Sequence, residues 1–548
     1  MINRLTFSSF ILVAFFGCSS YNDIKHEPTF SADIVDTESW YDDANNNVYK
    51  MNVIIPEPNE YKCAPYDNPF GTERPCTLVD IDGDSNPSDE YKPILHVNMS
   101  TENFGIEGAV ENAIFKIKGN YTRKADQKSY SIKLDSDTNL WLKQRKFLLA
   151  KQEADRSRVK NKLAFDLFRK IPNITSLKTQ FIHLFINDID YGLFTHVEAP
   201  REEYLVNRGW NKDDNLYNAE NFQFNLSEAL KTDEQGQVLD EEAFSTVLEI
   251  KNGEEHSLVY KMVSAINSEM PIDEVINKYF NRDNYIKWLA INLVIGNKDT
   301  TYHNFYLYNP VYSNTFYFLP WDYDGAWAKA KNLGKSEYGI SVWLESPLHK
   351  KFLTIKKNAD DVYKMAEEIR TKYMSDEILR GYLDGYEESV RPFVSRLPDS
   401  VHNSDSTWLG AIEDLVTGIQ NNVDLYKSVI GDPMPFRQYI EYTASTSTLT
   451  FSWDESVDLE GDEIIYDLSL YDENFSDKIL SVSNIATTTY TQNLLLKEGK
   501  YYLKVISQDK NNLNSYQESF DRTRVNDKTQ HGVLAFFVDS NGVISYEY

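Results

Sequence analysis

Cysteine is scarce in this chain, three in 548 residues. None forms a Cys-x-x-Cys pair or stands in a Cys/His cluster, which argues against a structural zinc site. Basic residues are also short. Lys plus Arg number 56 against 84 Asp plus Glu, a net charge of −28. A chain this acidic repels phosphate backbones and anionic lipid faces, so nucleic acid is not an expected partner. Beyond residue 16 no apolar run is long enough to span a bilayer. What remains is globular in composition, 41% hydrophobic and 14% aromatic with 36 tyrosines. The length implies two or three domains. Any local basic loop stands out against the acidic background.

The first residues read as an export signal. One positive charge at residues 1–4 precedes an apolar stretch at 5–16, too short for a membrane span. The stretch ends in Phe15-Phe16-Gly17-Cys18-Ser19-Ser20, which resembles a bacterial lipobox, with Phe15 in place of the usual Leu. The expectation is a signal peptide over 1–18, a lipid anchor on Cys18 and a place in the bacterial cell envelope, at the outer membrane or cell surface. Ordinary signal-peptidase cleavage nearby is the alternative. Two cysteines then remain, Cys63 and Cys76, in a Pro- and Asn-rich loop. In an oxidising compartment they are expected to pair.

Residues 19–45 are polar and acidic and read as a tether. Short alternating strand signals follow at 53–55, 93–98, 113–118 and 129–134. Helical period takes over at 156–171, where Val159, Leu163, Leu167 and Ile171 recur every fourth residue. Strands return at 181–185 and 193–197. A buried helix at 282–296 and amphipathic helices over 355–430 complete an α+β domain expected over 46–432. From 433 to 548 the pattern is all-β, with strands at 448–453, 464–471, 488–494 and 501–507 and a final hairpin around residues 539–542. Leu496, Tyr501, Leu503 and Val505, with Trp453 as a core tryptophan, resemble a fibronectin type III sandwich.

Chemistry concentrates in Gly296-Asn297-Lys298-Asp299-Thr300-Thr301-Tyr302-His303-Asn304. Two strand signals joined at Asn309-Pro310 then lead to Pro320-Trp321-Asp322-Tyr323-Asp324-Gly325. An Asp and an Asn thus lie in a loop after a buried helix, and a hairpin delivers a further Asp. Phosphoryl transfer needs one carboxylate to orient the attacking hydroxyl. It needs a second carboxylate and an amide oxygen to hold Mg²⁺ on the nucleotide phosphates. Capping of helices and turns is the plainer use of such residues. Upstream, Lys118-Gly119-Asn120-Tyr121-Thr122-Arg123-Lys124-Ala125-Asp126-Gln127-Lys128 is basic enough to bind an anion, or else is a solvated turn. Asp80-Ile81-Asp82-Gly83-Asp84, with Asp89 and Glu90 beyond, resembles a Ca²⁺ loop without a full EF-hand pattern.

Several motifs come in one order: Lys118-Gly119-Asn120 with Arg123, Lys128-Ser129-Tyr130-Ser131-Ile132-Lys133-Leu134, Arg158 with Asn161-Lys162-Leu163-Ala164, Tyr191-Gly192-Leu193-Phe194 with Glu198, Asn297 with Asp299, His303-Asn304-Phe305-Tyr306-Leu307-Tyr308, and Pro320-Trp321-Asp322-Tyr323-Asp324. In this the chain resembles the CotH family of atypical, spore-coat-type protein kinases, over residues 46–400. The resemblance implies a divergent two-lobed kinase-like domain ahead of the all-β sandwich. It implies ATP and Mg²⁺ as cofactors and a secreted or surface protein as acceptor. Asp299 takes the catalytic role, and Asp322 binds metal with Asn304 assisting. Lys128 and Lys133 grip nucleotide phosphates with Arg123 nearby, and Arg158 and Asn161 position the site or hold the lobes together. The helix after residue 156 has no Glu to pair with a phosphate-binding lysine, which leaves Glu153 or Glu198. Asn stands in Asn215-Leu216-Tyr217-Asn218 where the family pattern has Lys.

Two functions compete: transfer of phosphate to Ser or Thr of an exported protein, or a degenerate kinase-like surface protein that adheres through its β module. ATP is scarce outside the cytoplasm, which favours the second. The complete Asp299, Asn304 and Asp322 set favours the first. Thiol labelling of the native, unreduced chain is expected to leave Cys63 and Cys76 unmodified; two reactive thiols would contradict the pairing.

Overall fold

The structure, a computed structural model, describes residues 32–34, 36, 38–41, 45–85, 91–119, 121–136, 140–327, 334–337 and 339–546. The signal segment with Cys18, most of the tether, Asp89, Glu90 and Asn120 lie outside the described residues. No described helix is long and apolar enough to cross a membrane.

Among the described residues, seven strands close into a barrel in the order Val48–Ile54, Leu95–Thr101, Ala113–Ile117, Tyr130–Leu134, Lys146–Ala150, Ile189–Glu198, Thr179–Ile186. The last strand returns parallel to the first, and the other pairings are antiparallel. Alternation explains the barrel. Phe115, Ile117, Tyr130, Ile132, Phe147 and Leu149 point inward into one core. Leu148, Ala150, Leu193 and Val197 point outward and join a second core with the helices.

The first of those helices spans Lys160–Phe168, shorter than its period suggests. Asp155 accepts from the backbone N–H of Ser157 and Lys160, and Arg158 has a left-handed φ of 61°, so the chain turns before it can wind. The second core centres on the helix Arg282–Val294, where Trp288 stacks on Phe318 with ring centres 4.5 Å apart. Phe318 belongs to a four-stranded sheet ordered Leu248–Asn252, Asn215–Ala219, Phe305–Asn309, Tyr317–Pro320. Helices Lys356–Lys372, Asp376–Val394 and Asp405–Val429 complete an α+β arrangement.

The C-terminal region is β-rich. A three-stranded and a six-stranded sheet share a core that includes Phe451, Trp453, Leu468, Val505 and Phe536. It is not hung loosely on the helices: Met434 and Leu459 lie in the helical core, and Phe520 packs against it.

Several polar residues in the sequence motifs serve this scaffold. The Asp399 carboxylate accepts the Leu193 N–H at 2.9 Å and pairs with Lys151 at 2.9 Å. It passes over Gly192, where a Cβ would stand 2.0 Å from Asp399 Oδ2, so only glycine fits. Arg158, expected at a cofactor, is buried; its guanidinium donates to the carbonyls of Lys151 and Gln152, both at 2.9 Å. Glu198 is also buried. It binds Arg208 through both oxygens at 3.0 Å and accepts from the Trp40 indole and the Lys178 N–H. Glu153 accepts the Gln127 N–H at 2.6 Å. Neither glutamate is bound to a lysine of the candidate site.

The acidic loop does not form a cation cage. Asp80 caps the helix Leu78–Gly83 through Thr77 and binds Arg74 at 2.7 Å. Asp82 accepts hydrogen bonds from the Tyr130 and Tyr191 hydroxyls, and Asp84 faces Arg123 at 3.7 Å. Each of the three carboxylates is thus held by partners of its own. Cys63 and Cys76 are joined as a disulfide, Cα atoms 5.3 Å apart.

Glu198→Ala should destabilise the fold by about 3–5 kcal/mol, because it strands a buried guanidinium. Denaturant unfolding measures this, and a cost under about 1 kcal/mol would show that water reaches Arg208.

Candidate active site

The helix Arg282–Val294 ends at Ile295, and Gly296 turns the chain with φ 61°. Asn297 then uses its side-chain oxygen to accept the Asp299 N–H at 3.2 Å, which fixes the Asp299 backbone. The strand Phe305–Asn309 leaves this loop and Tyr317–Pro320 returns beside it, Phe305 opposite Pro320. This register brings Asn304 and the Asp322 segment to the same end of the hairpin. Both residues hold left-handed φ, 58° and 53°. Asn and Asp tolerate that region better than most residues, and such strain gathers at functional sites.

The segment after the hairpin is pinned from three sides. Asn161 accepts the Tyr323 N–H at 2.6 Å. The Tyr323 ring is buried edge-on to Phe165 and Phe168, centroids 5.8 and 4.8 Å away. Trp327 donates its N–H to the Ile295 carbonyl at 2.7 Å, closing the loop onto the helix end. Gly325 is thereby pressed against Asp299: a Cβ there would lie 2.0 Å from Asp299 Oδ2. Asn161, expected to position the site or hold the lobes together, thus pins the acidic segment.

Three carboxylates share this corner; Lys118 pairs with one of them, and Lys160 donates to the Asp324 and Ala326 carbonyls at 3.4 and 2.6 Å. Lys118 Nζ lies 3.2 Å from Asp322 Oδ2 and 5.8 Å above the Trp321 ring. Burial pushes the Asp322 carboxyl up, but the Lys118 charge and hydrogen bond outweigh it, with help from Asn161, and hold it below the usual range. Asp324 goes the other way. The neighbouring Asp322 charge and then burial push it up to about 7, with Asp155 and Asp299 adding to the repulsion and Lys118 opposing it. Burial disfavours the Lys118 charge, yet Asp322 and Asp324 keep its pKa raised. The pair thus divides into an ionised Asp322 and a carboxyl that holds its proton to near neutrality.

A second group of charges lies beside the first. Lys116 and Lys118 share the outward face of their strand, opposite to Phe115 and Ile117. Cross-strand register adds Lys133 and Lys146, which stand directly opposite each other. Lys146 is pushed down to about 7 by burial and by the charges of Arg201, Lys116 and Lys251, against Glu249. Burial lowers Lys251 despite its ion pair with Glu249. Tyr306 packs edge-on to Trp321, ring centres 5.2 Å apart, and Lys118 lies over that same indole. Asn218 is in register with both Glu249 and Tyr306, which places the expected lysine's substitute on this face.

The residues expected to grip phosphates divide. Lys133 is exposed beside this cation group. Arg123 is buried and donates to the Gly119 carbonyl at 2.9 Å, and Lys128 donates to the Arg123 carbonyl. Those two brace their own loop. The sequence pointed to Lys118 only as part of a basic, anion-binding loop, and gave no sign of Lys116, Lys146, Arg201, Lys251 and Glu249. Strand alternation alone would have put Lys116 and Lys118 on one face. A separate trio, Asp126, Glu153 and His402, brings possible ligand atoms within 4.8 Å of one another.

Asp299, Asn304, Asp322 and Asp324 supply hard oxygen donors of the kind Mg²⁺ takes. A divalent cation would relieve the repulsion that lifts Asp324. Half-buried lysines nearby suit the phosphates of a nucleotide. These are the features of a kinase-like protein. The CotH kinase protein family matches residues 115–426, more than half of the chain, and the chain belongs to that family. Inner spore coat protein H of Bacillus subtilis (strain 168) is 28% identical over 220 residues, 39% of this chain and 58% of that protein. The chain therefore spans little more than half of that relative's length. Among solved structures, the twitchin kinase region from C. elegans aligns over 21% of this chain and 20% of its own at 17% identity. Its TM-score of 0.14 carries no argument.

Proposed function

We propose that the chain is an exported protein kinase that transfers the γ-phosphoryl group of Mg-ATP to Ser or Thr of a secreted or surface protein. The observation that carries this reading is the convergence of Asp299, Asp322 and Asp324 at one hairpin end, with Lys118 in contact and further cations alongside. In this reading residues 46–432 form a two-lobed transferring unit. Residues 433–548 form an appended sandwich of fibronectin type III type, and Cys18 carries the lipid anchor at the cell envelope.

Asp299 orients the acceptor hydroxyl and takes its proton. The new P–O bond forms as the bond between the γ-phosphorus and the β,γ-bridging oxygen breaks, and ADP departs with that electron pair. Asp322 and Asn304 would hold the metal, which would neutralise charge on the phosphates. Lys118, Lys116, Lys146 and Lys251 face the polyphosphate. Asn161 keeps Asp322 in place through the Tyr323 backbone.

The two aspartates should fail differently. Asp299→Ala should lower transfer by about a thousandfold or more while Mg-ATP binding stays close to native. Asp322→Ala should lose both. Nucleotide titration beside radiolabel transfer, self-phosphorylation included, separates them. Equal loss of binding in both variants would overturn these roles. Unchanged activity in both would leave the adhesive surface protein as the reading.

Lys146 gives a pH signature. With its pKa lowered to about 7 it is largely neutral at pH 8, and a bound polyphosphate must raise it again. Mg-ATP binding at pH 8 should take up a proton, read by calorimetry in buffers of different ionisation enthalpy. Lys146→Met should reduce that uptake by most of one proton. The same uptake in both proteins would place the phosphates elsewhere.

A further inference from the structure

Asp299 also borders a second cleft, enclosing about 420 Å³, that shares no other residue with the acid and cation groups described above. One wall is the catalytic loop itself, where Tyr302, 39% exposed, stacks on His303 with ring centres 4.4 Å apart. The opposite wall comes from the C-terminal β-rich region, including Phe520, Arg522 and Leu534. Ion pairs hold the walls together. Glu337 binds Lys298, the neighbour of Asp299, at 3.1 Å, and reaches Arg522 at 3.5 Å and His531 at 3.4 Å.

We propose that the C-terminal β region forms one side of the acceptor site, so that an extended polypeptide segment carrying Ser or Thr lies between Tyr302 and the Phe520–Arg522 wall with its hydroxyl at Asp299. This rests on the kinase reading. In-line transfer requires the acceptor oxygen to approach the γ-phosphorus from the side opposite the leaving group. The cations would hold the nucleotide, and none of them lines the cleft that Asp299 borders. Its lining mixes apolar surface, from Phe520, Val533 and Leu534, with side chains of both charges. That mixture suits a protein segment, whose side chains need apolar contact and whose flanks need charge complementarity. The β region then selects the acceptor as well as accompanying the kinase-like domain.

The test uses the full chain and a degenerate library of Ser- and Thr-containing peptides with Mg-ATP. Phe520→Ala and Arg522→Glu should each raise KM for the best library peptide by about tenfold or more, with Mg-ATP affinity as the internal reference. Arg524→Glu, on the same hairpin but outside the cleft and 74% exposed, should leave KM unchanged. Arg522 is itself 67% exposed, so its replacement does not depend on repacking a core. Native KM in both cleft variants overturns the proposal. So does a native chain that binds Mg-ATP yet phosphorylates no peptide, which leaves the kinase reading standing with a non-peptide acceptor. A native chain that binds no Mg-ATP overturns the kinase reading, and this proposal falls with it.

Discussion

The Lys118–Asp322 ion pair is the contact on which the arrangement of the site depends. Lys118 follows the barrel strand Ala113–Ile117, and Asp322 follows the hairpin on the helical side. Each alone would carry a charge into a low-dielectric corner at a cost of several kcal/mol. Together, with Asn161 fixing the Tyr323 backbone, they let three carboxylates remain close without all being neutralised. Removing the lysine would leave Asp322 and Asp324 to share one proton, as like carboxylates at short range do. The barrel is thus part of the acid site, although none of the carboxylates belongs to it.

The acidic loop and hairpin were legible in the sequence because their spacing is local. A buried helix, a short loop and a two-stranded return must bring Asp299, Asn304 and Asp322 near one another, whatever surrounds them. The cation group was not legible for the opposite reason. Lys116, Lys146, Arg201 and Lys251 come from four separate stretches and meet only through barrel closure and the packing of the second sheet. The barrel itself needed a parallel return of Thr179–Ile186 onto Val48–Ile54, a pairing that no local pattern announces. The α+β class was readable from the change of period along the chain.

Charged residues buried among the motifs share a physical constraint. Arg158, Glu198 and Arg123 lie in motifs whose other members serve the site, and charged residues in such company invite a chemical role. Burial gives each of them structural contacts as well. A guanidinium with almost no solvent contact must spend its donors on nearby carbonyls or carboxylates, and Arg158, Arg123 and Arg208, the partner of Glu198, do so. Motif order therefore reports two kinds of constraint at once, the chemistry and the scaffold that aims it. Gly192 belongs to the scaffold and Gly325 to the chemistry, although each is held by the same thing, a carboxylate oxygen where a Cβ would stand.

The acidity of the whole chain sharpens this division. With a net charge of −28, the long-range field opposes the approach of any polyphosphate. Local cations must reverse it over a few ångströms, and buried ones act most strongly because solvent and salt screen them least. Burial also lowers their pKa, as at Lys146 and Lys251, so the same low dielectric that strengthens their attraction weakens their hold on the proton. Glu249 offsets part of that conflict by stabilising the charge on Lys251, with which it pairs, and on Lys116 and Lys146 nearby. Such a site is held neither fully charged nor fully neutral when empty, and an incoming anion would bring it to its charged form.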